Sequence, residues 1–155
     1  MAEAAQNNEK QPIFNLERIY IKNASLEQPR APDTFLAKDA PEIEVKLGLG
    51  NKKIDDIYYE ATLTATVTAT LPDKRVLFLA EANIAGIFRM ENLPAEDIDP
   101  VLNITCPNIM FPYAREMISD LITRAGFPPV YLAPINFEAM YAQAKAQEQQ
   151  PAGNA

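Results

Sequence analysis

The longest regular pattern in the chain has period two. From Tyr59 to Leu71, Ala61, Leu63, Ala65, Val67 and Ala69 point one way, and Thr62, Thr64, Thr66, Thr68 and Thr70 point the other. Alternation of this kind marks a strand with one face buried. The β-branched threonines suit a pleated face open to water or to a polar partner. Leu71-Pro72-Asp73-Lys74 reads as a turn. Beyond it Val76, Phe78, Ala80, Ala82 and Ile84 alternate with Leu77, Leu79, Glu81 and Asn83, and Ala85-Gly86-Ile87-Phe88 continues the run. The two runs predict one long antiparallel hairpin. Upstream, Ile43, Val45, Leu47 and Leu49 alternate with charged residues and predict a half-buried strand, with Gly48 to Asp56 as a turn. Phe14 to Lys22 predicts a further strand, whose apolar residues change parity in a way that a bulge near Glu17-Arg18 reconciles.

After Phe88 the period changes to that of a helix. Tyr113, Ala114, Met117, Ile118, Leu121, Ile122 and Ala125 cover roughly half the circumference, wider than the stripe of a surface helix. Two readings fit: a helix sandwiched between a sheet and a second subunit, or one buried inside a single domain. Pro112 suits its first turn and Gly126 its stop. Pro94-Ala95-Glu96-Asp97 begins a shorter helix that Pro100 limits to a turn or two unless it restarts there. Asn136 caps a last helix, with Ile135 and Met140 as a hydrophobic staple and Phe137, Met140, Tyr141 and Ala144 on one face. Pro29, Pro32 and Pro41 punctuate a long connection, and apolar Phe35-Leu36 within it predicts that part of it packs down. Residues 1–12 and 145–155 are expected to be tails around one domain at 13–144. The fold class is α+β.

Composition narrows the chemistry. The chain has 155 residues and a net charge of −7. That charge opposes nucleic acid and anionic membrane surfaces and favours basic partners. One cysteine allows no internal disulfide, the first residues lack the basic and apolar regions of a secretory signal, and no apolar run reaches the length of a membrane span. These features predict a cytoplasmic protein without direct membrane insertion. There are no histidines, so Cys106 has no imidazole to activate it and reads as a packing thiol. The acidic clusters Asp55-Asp56 and Glu96-Asp97-Asp99 lack the spacing of a calcium loop, and Gly48-x-Gly50 lacks the rest of a phosphate loop. No catalytic residues, metal or cofactor are expected, and the chain does not read as an enzyme.

Cys106-Pro-Asn-Ile-Met-Phe-Pro-Tyr-Ala-Arg-Glu116, followed by Leu132-Ala-Pro-Ile-Asn-Phe137, resembles the bacterial SecB family. Arg18-Ile19-Tyr20 with Lys22, Ala31-Pro32 and Gly86-Ile87-Phe88 support the resemblance, which runs in order from about Phe14 to Tyr141. It implies a four-stranded antiparallel sheet with two main helices on one side, assembling as a dimer of dimers, a homotetramer with the central helices between dimers. It implies a holdase that keeps unfolded precursor proteins export-competent without ATP and delivers them to the SecA motor. The family's substrate groove matches Ser25–Asp39 and the last helix, with Phe35, Phe137, Met140 and Tyr141 as lining candidates. Phe78, Ala80, Ala82 and Ile84 match residues that bear on assembly, beside Tyr113, Met117 and Leu121 of the central helix. Glu27, Leu79 and Glu81 match a SecA contact. The acidic family position after Lys22 is Asn23 here, and the C-terminal tail has no basic cluster. From the residues alone, a sheet carrier or enzyme holding a small apolar ligand stays open as the other reading.

Overall fold

In the computed structural model, which describes residues 10–149, four strands form one antiparallel sheet. They are β1 (Ile13–Glu27), β2 (Glu42–Lys53), β3 (Tyr58–Thr70) and β4 (Val76–Glu91), in the order β1-β4-β3-β2. The predicted hairpin is β3–β4. Its register sets Leu63 against Ile84, Ala65 against Ala82, Val67 against Ala80 and Ala69 against Phe78. Directly opposed residues share a face, so two strands' apolar sets merge into one apolar surface. Four of these eight side chains are alanines. Small residues lower the seat and let a helix lie close.

That helix is α2 (Cys106–Arg124), which packs on β3 and β4. Met110, Ala114, Ile118 and Ile122 meet the sheet and are fully buried. Deleting so much contact from either layer would leave cavities that a close-packed interior cannot refill. The other face of the sheet carries the predicted threonines, all partly exposed. Before α2 come α1 (Ala95–Pro100) and a wide turn, Val101–Thr105, in which the Cys106 N–H reaches back to the Val101 carbonyl. α3 (Phe137–Gln149) follows an extended stretch.

Several boundaries differ from the sequence reading. Pro100 lies inside a helix that does restart, and Pro112 lies within α2 rather than at its start. The start is earlier, at Cys106, and α2 runs on directly from the wide turn, with Thr105 and Cys106 both in helical conformation, so neither proline marks a free helix end. β1 carries the expected bulge between Leu16 and Arg18, but a second bulge between Ile21 and Asn23 lets it continue to Glu27. β2 runs through Gly48–Lys53, expected as a turn. Gly50 stands opposite Thr62, and a Cβ there would meet its hydroxyl at 2.6 Å, so this glycine serves close strand packing. The turn itself is Ile54–Ile57, where the Asp55 carboxylate accepts from the N–H groups of Ile57 (3.0 Å) and Tyr58 (2.9 Å). β2 is an edge strand outside the cover of α2, and Ile43 (40%) and Val45 (44%) are exposed rather than half-buried. α3 continues past Ala144 to Gln149, so residues 145–149 are helical and not tail. The expected tail at 1–12 falls mostly outside the described residues.

One charged group is buried on the open face. Glu60 of β3 is 6% exposed. Its carboxylate accepts from Lys22 Nζ (2.8 Å) and from the Tyr20 hydroxyl, both on β1, so the side chains arch over β4 between them. On β4 the residues of that face are Ala85, opposite Tyr20, and Ile87, opposite Glu60. The hydrogen bonds from Lys22 and Tyr20 hold Glu60 below its ordinary value of 4.5, against the opposing effect of burial. The same bond to Glu60 pushes Tyr20 up to about 12. A lowered carboxylate stabilises the fold above its unfolded pKa and loses that contribution as pH falls through the folded one. Unfolding midpoints recorded against pH should therefore drop below about pH 4.5 more steeply in the native chain than in Glu60→Gln. Parallel curves would show that the arch contributes nothing.

Candidate functional site

Three surfaces carry the residues singled out from the sequence. The first is an aromatic groove. The connection after β1 forms one 3-10 turn, Asp33–Leu36, which presents Phe35. Its ring stacks on Phe127 at 5.1 Å, and Phe127 leans on Phe78 at 5.2 Å. The three rings make a ladder from a half-exposed Phe35 (47%) down to core Phe78 (2%). They bound a cavity of about 460 Å³ whose other walls include Ile43, Leu71, Leu77 and Val130. The end of α2 places Phe127. Gly126 has φ +94°, its N–H bonds the Thr123 carbonyl (3.0 Å) and the Phe127 N–H bonds that of Ile122 (3.3 Å). This is a Schellman stop, whose apolar residue after the glycine turns back onto the helix. A Cβ on Gly126 would also meet the Phe35 ring at 3.1 Å.

The expected lining set divides. Phe35 lines the groove, whereas Phe137 does not: it is 2% exposed and meets Phe111 edge-on at 6.0 Å, filling the core beneath α3. Its position one residue after the Asn136 cap points it inward, and the Asn136 side chain accepts from the Ala139 N–H (2.9 Å) to fix that turn. Met140 and Tyr141 are half-buried on α3 and line no wall of this cavity. Phe127, Leu77, Ile43 and Val130 were not anticipated. An apolar residue directly after a helix-stopping glycine was the available signal for Phe127.

The second surface lies on the open face of the sheet. Glu27 stands opposite Leu79, and Ser25 opposite Glu81. All three candidates, Glu27, Leu79 and Glu81, therefore share one face, and the Thr66 hydroxyl donates to Glu81 (2.9 Å). Only the extension of β1 past its second bulge brings Glu27 into this row.

The third surface is the outer stripe of α2. Ala114, Ile118 and Ile122 are fully buried, while Tyr113 is 48% exposed and Met117 and Leu121 are half-buried along the flank of the core. Beside them Ile19, Ile21 and Ile84 bound a recess of about 130 Å³ between β1 and α2. Phe78, Ala80, Ala82 and Ile84 are each at most 2% exposed in the protomer, with Ile84 at the floor of this recess and Phe78 at the floor of the groove. Cys106 is fully buried, and burial alone pushes its thiol up to about 12, which keeps it protonated and inert near neutrality.

The family model described as "Preprotein translocase subunit SecB" matches residues 7–148. The chain belongs to the SecB family. It is 54% identical over 151 residues to the protein-export protein SecB of Chromobacterium violaceum, covering 97% of this chain and 99% of that one. It is 53% identical over 147 residues to the SecB of Neisseria meningitidis serogroup B, covering 95% and 99%. Among solved structures, a Mycobacterium tuberculosis SecB-like chaperone in complex with a peptide from an antitoxin has the same fold, with a TM-score of 0.65 at 17% identity over 79% of this chain and 90% of that one. SecB membership makes the chain a chaperone of protein export. Among the described residues, no helix is long and apolar enough to cross a membrane.

Proposed function

We propose that this chain is an ATP-independent holdase. It takes apolar segments of unfolded precursors into the Phe35–Phe127–Phe78 groove and passes them to SecA from the opposite side of the sheet. The observation that carries this reading is the groove's form. An aromatic ladder runs from solvent to core, and Leu36 (83%) and Tyr131 (72%), the sequence neighbours of lining residues Phe35 and Val130, stand exposed. A monomer gains nothing from large apolar side chains left in water, and such patches mark binding surfaces. A half-open groove with apolar margins fits successive side chains of a long polymer better than a small ligand, which sites usually enclose. The deciding measurement is aggregation of a chemically denatured polypeptide diluted into buffer, with and without the protein and without nucleotide. Undiminished aggregation would sink the reading.

The groove assignment has its own test. Phe35→Ser and Phe127→Ser together should weaken binding of an unfolded client by about tenfold, given ~25 cal/mol per Å² of apolar area withdrawn from it. Phe35→Ser alone should act in the same direction, because its ring is half outside the core. Client affinity unmoved by both would place the site elsewhere.

SecA is proposed to dock on the open face at Glu27, Leu79 and Glu81. A partly exposed leucine flanked by carboxylates suits a basic partner with an apolar anchor. Glu81→Lys should weaken SecA binding, more at low salt than at high, because rim charges act through screened attraction. Client holding should survive, since the groove lies across the sheet. Calorimetric titration of SecA showing unchanged affinity would refute the assignment. Cytoplasmic residence and a dimer of dimers, assembled through Tyr113, Met117 and Leu121, complete the proposal.

A further inference from the structure

The second bulge of β1 decides which side of the sheet Glu27 occupies. Before it, Ile19 and Ile21 stand opposite Gly86 and Ile84; after it, Ala24 and Leu26 stand opposite Ala82 and Ala80. The side turned to the core thus changes from odd to even positions, and Ser25 and Glu27 come to the open face. Ile21 pairs with Ile84 and Asn23 with Asn83, so Lys22 between them is the extra residue, without a partner on β4. The sequence of this stretch does little to hold that phase. β1 is an edge strand, and of residues 22–27, Lys-Asn-Ala-Ser-Leu-Glu, Leu26 alone packs against the core. Strands this polar specify their register weakly. Lys22 is fastened elsewhere. Its ammonium reaches Glu60 Oε1 at 2.8 Å across β4, and the Tyr20 hydroxyl donates to the other oxygen of the same carboxylate. One buried group therefore grips the extra residue of the bulge and the open-face residue two places before it.

We propose that Glu60 is a positioning residue for the SecA contact: through Lys22 it pins the bulge, and the pinned bulge keeps Glu27 beside Leu79 and Glu81. This rests on the docking of SecA at the open face and adds the residue that assembles that face. A buried ion pair contributes little net stability, but it penalises every arrangement that leaves one partner uncompensated, which suits it to fixing a register. In a strand without the bulge, Lys22 moves to the place opposite Asn83, away from Ile87, the residue opposite Glu60. The Lys22 bond then stretches or breaks, and Glu60, 6% exposed, is left with one donor fewer. In the same slip Ser25 and Glu27 turn to the core side, and Leu79 and Glu81 remain on β4 without their acidic neighbour. With Glu60 gone the penalty on slipping is gone too. A partner that binds only the native phase then has its apparent affinity reduced by the fraction of chains that keep it.

The test uses the full chain in its native assembly, with calorimetric titration of SecA and with amide exchange followed in its absence. Glu60→Leu keeps a side chain of similar size and removes the acceptor. It should weaken SecA binding by about fivefold and speed exchange at residues 23–27 by a similar factor, as the loss of charge-assisted hydrogen bonds allows. Glu60→Gln, which keeps one acceptor oxygen, should do both by about twofold. The decisive step is to delete Lys22 from Glu60→Leu. The deletion removes the extra residue, so plain alternation returns Glu27 to the face of Leu79 with no bulge to hold, and SecA affinity should recover to within about twofold of native. A sheet that was merely weakened would lose further affinity on deletion. Unchanged SecA affinity in both Glu60 variants, a loss that deletion does not recover, or faster exchange with no loss of affinity each overturns the positioning role. A native affinity that neither Glu27→Gln nor Glu81→Lys moves overturns the docking reading instead, and exchange at residues 23–27, read without SecA, keeps the two failures distinguishable.

Discussion

Phe137→Ala is expected to lower the free energy of unfolding by about 3–5 kcal/mol, the range for emptying a buried phenylalanine site. The ring is 2% exposed, meets Phe111 at 6.0 Å and belongs to the same buried cluster as Leu102, Met110 and Leu132. Nothing small enough to move can refill the space, because the neighbours are held by a sheet and a helix. In a domain of this length a loss of that size lowers the midpoint of thermal unfolding by on the order of 10 °C. The measurement is urea or thermal unfolding at fixed protein concentration, since assembly makes apparent stability concentration-dependent. A loss below about 1 kcal/mol would show that Phe137 is not packed in the core and would favour the groove-lining role expected from the sequence. Phe35→Ser, on a ring 47% exposed, should cost far less stability while acting on client affinity. The two phenylalanines, grouped together by sequence, thus separate by experiment into core and groove.

That grouping shows where sequence stops being legible. Period-two alternation from Tyr59 to Ile84 identified β3 and β4 and which parity is buried, because a strand's two faces are fixed by the pleat. The C-terminus of α2 was legible because only glycine adopts φ +94° without strain. The length of β1 was not, since its second bulge at Ile21–Asn23 resets the parity and erases the alternation. Gly48 and Gly50 were misread because glycine in a strand and glycine in a turn look alike until the facing residue, Thr62, is known. At the candidate site, face was legible and depth was not. Leu79 and Glu81 share a side by parity alone, but only the register adds Glu27. Phe137, Met140 and Tyr141 share a helix face, yet nothing local says that the core beneath swallows the first and leaves the others half out. The ladder of Phe35, Phe127 and Phe78 joins three segments far apart in sequence and was invisible for that reason.

Met117→Glu is expected to break the assembly while leaving the protomer folded. The wide apolar arc of α2 divides into two stripes in the structure. Ala114, Ile118 and Ile122 are fully buried, and Tyr113, Met117 and Leu121 are covered only in part, along the flank of the core. The partly covered stripe is continuous with the recess at Ile19 and Ile21 of β1, and Ile21 is itself 50% exposed. A patch of this kind on one protomer is covered when a second copy brings its own, as isologous interfaces do. The unmodified chain should therefore run at the mass of about four chains by light scattering after gel filtration. A glutamate at position 117 would be buried there without a partner, at a cost of several kcal/mol, and Glu116 and Asp120 already supply like charge on the neighbouring turns. The mass should fall toward two chains or one, with far-UV circular dichroism unchanged because residue 117 is only half-buried in the protomer. Ile118→Glu makes the control: one position along the helix, it should unfold the protomer, since Ile118 has no exposed surface at all. A native mass of one chain for the unmodified protein, or an intact tetramer for Met117→Glu, would refute the assignment of this stripe to assembly.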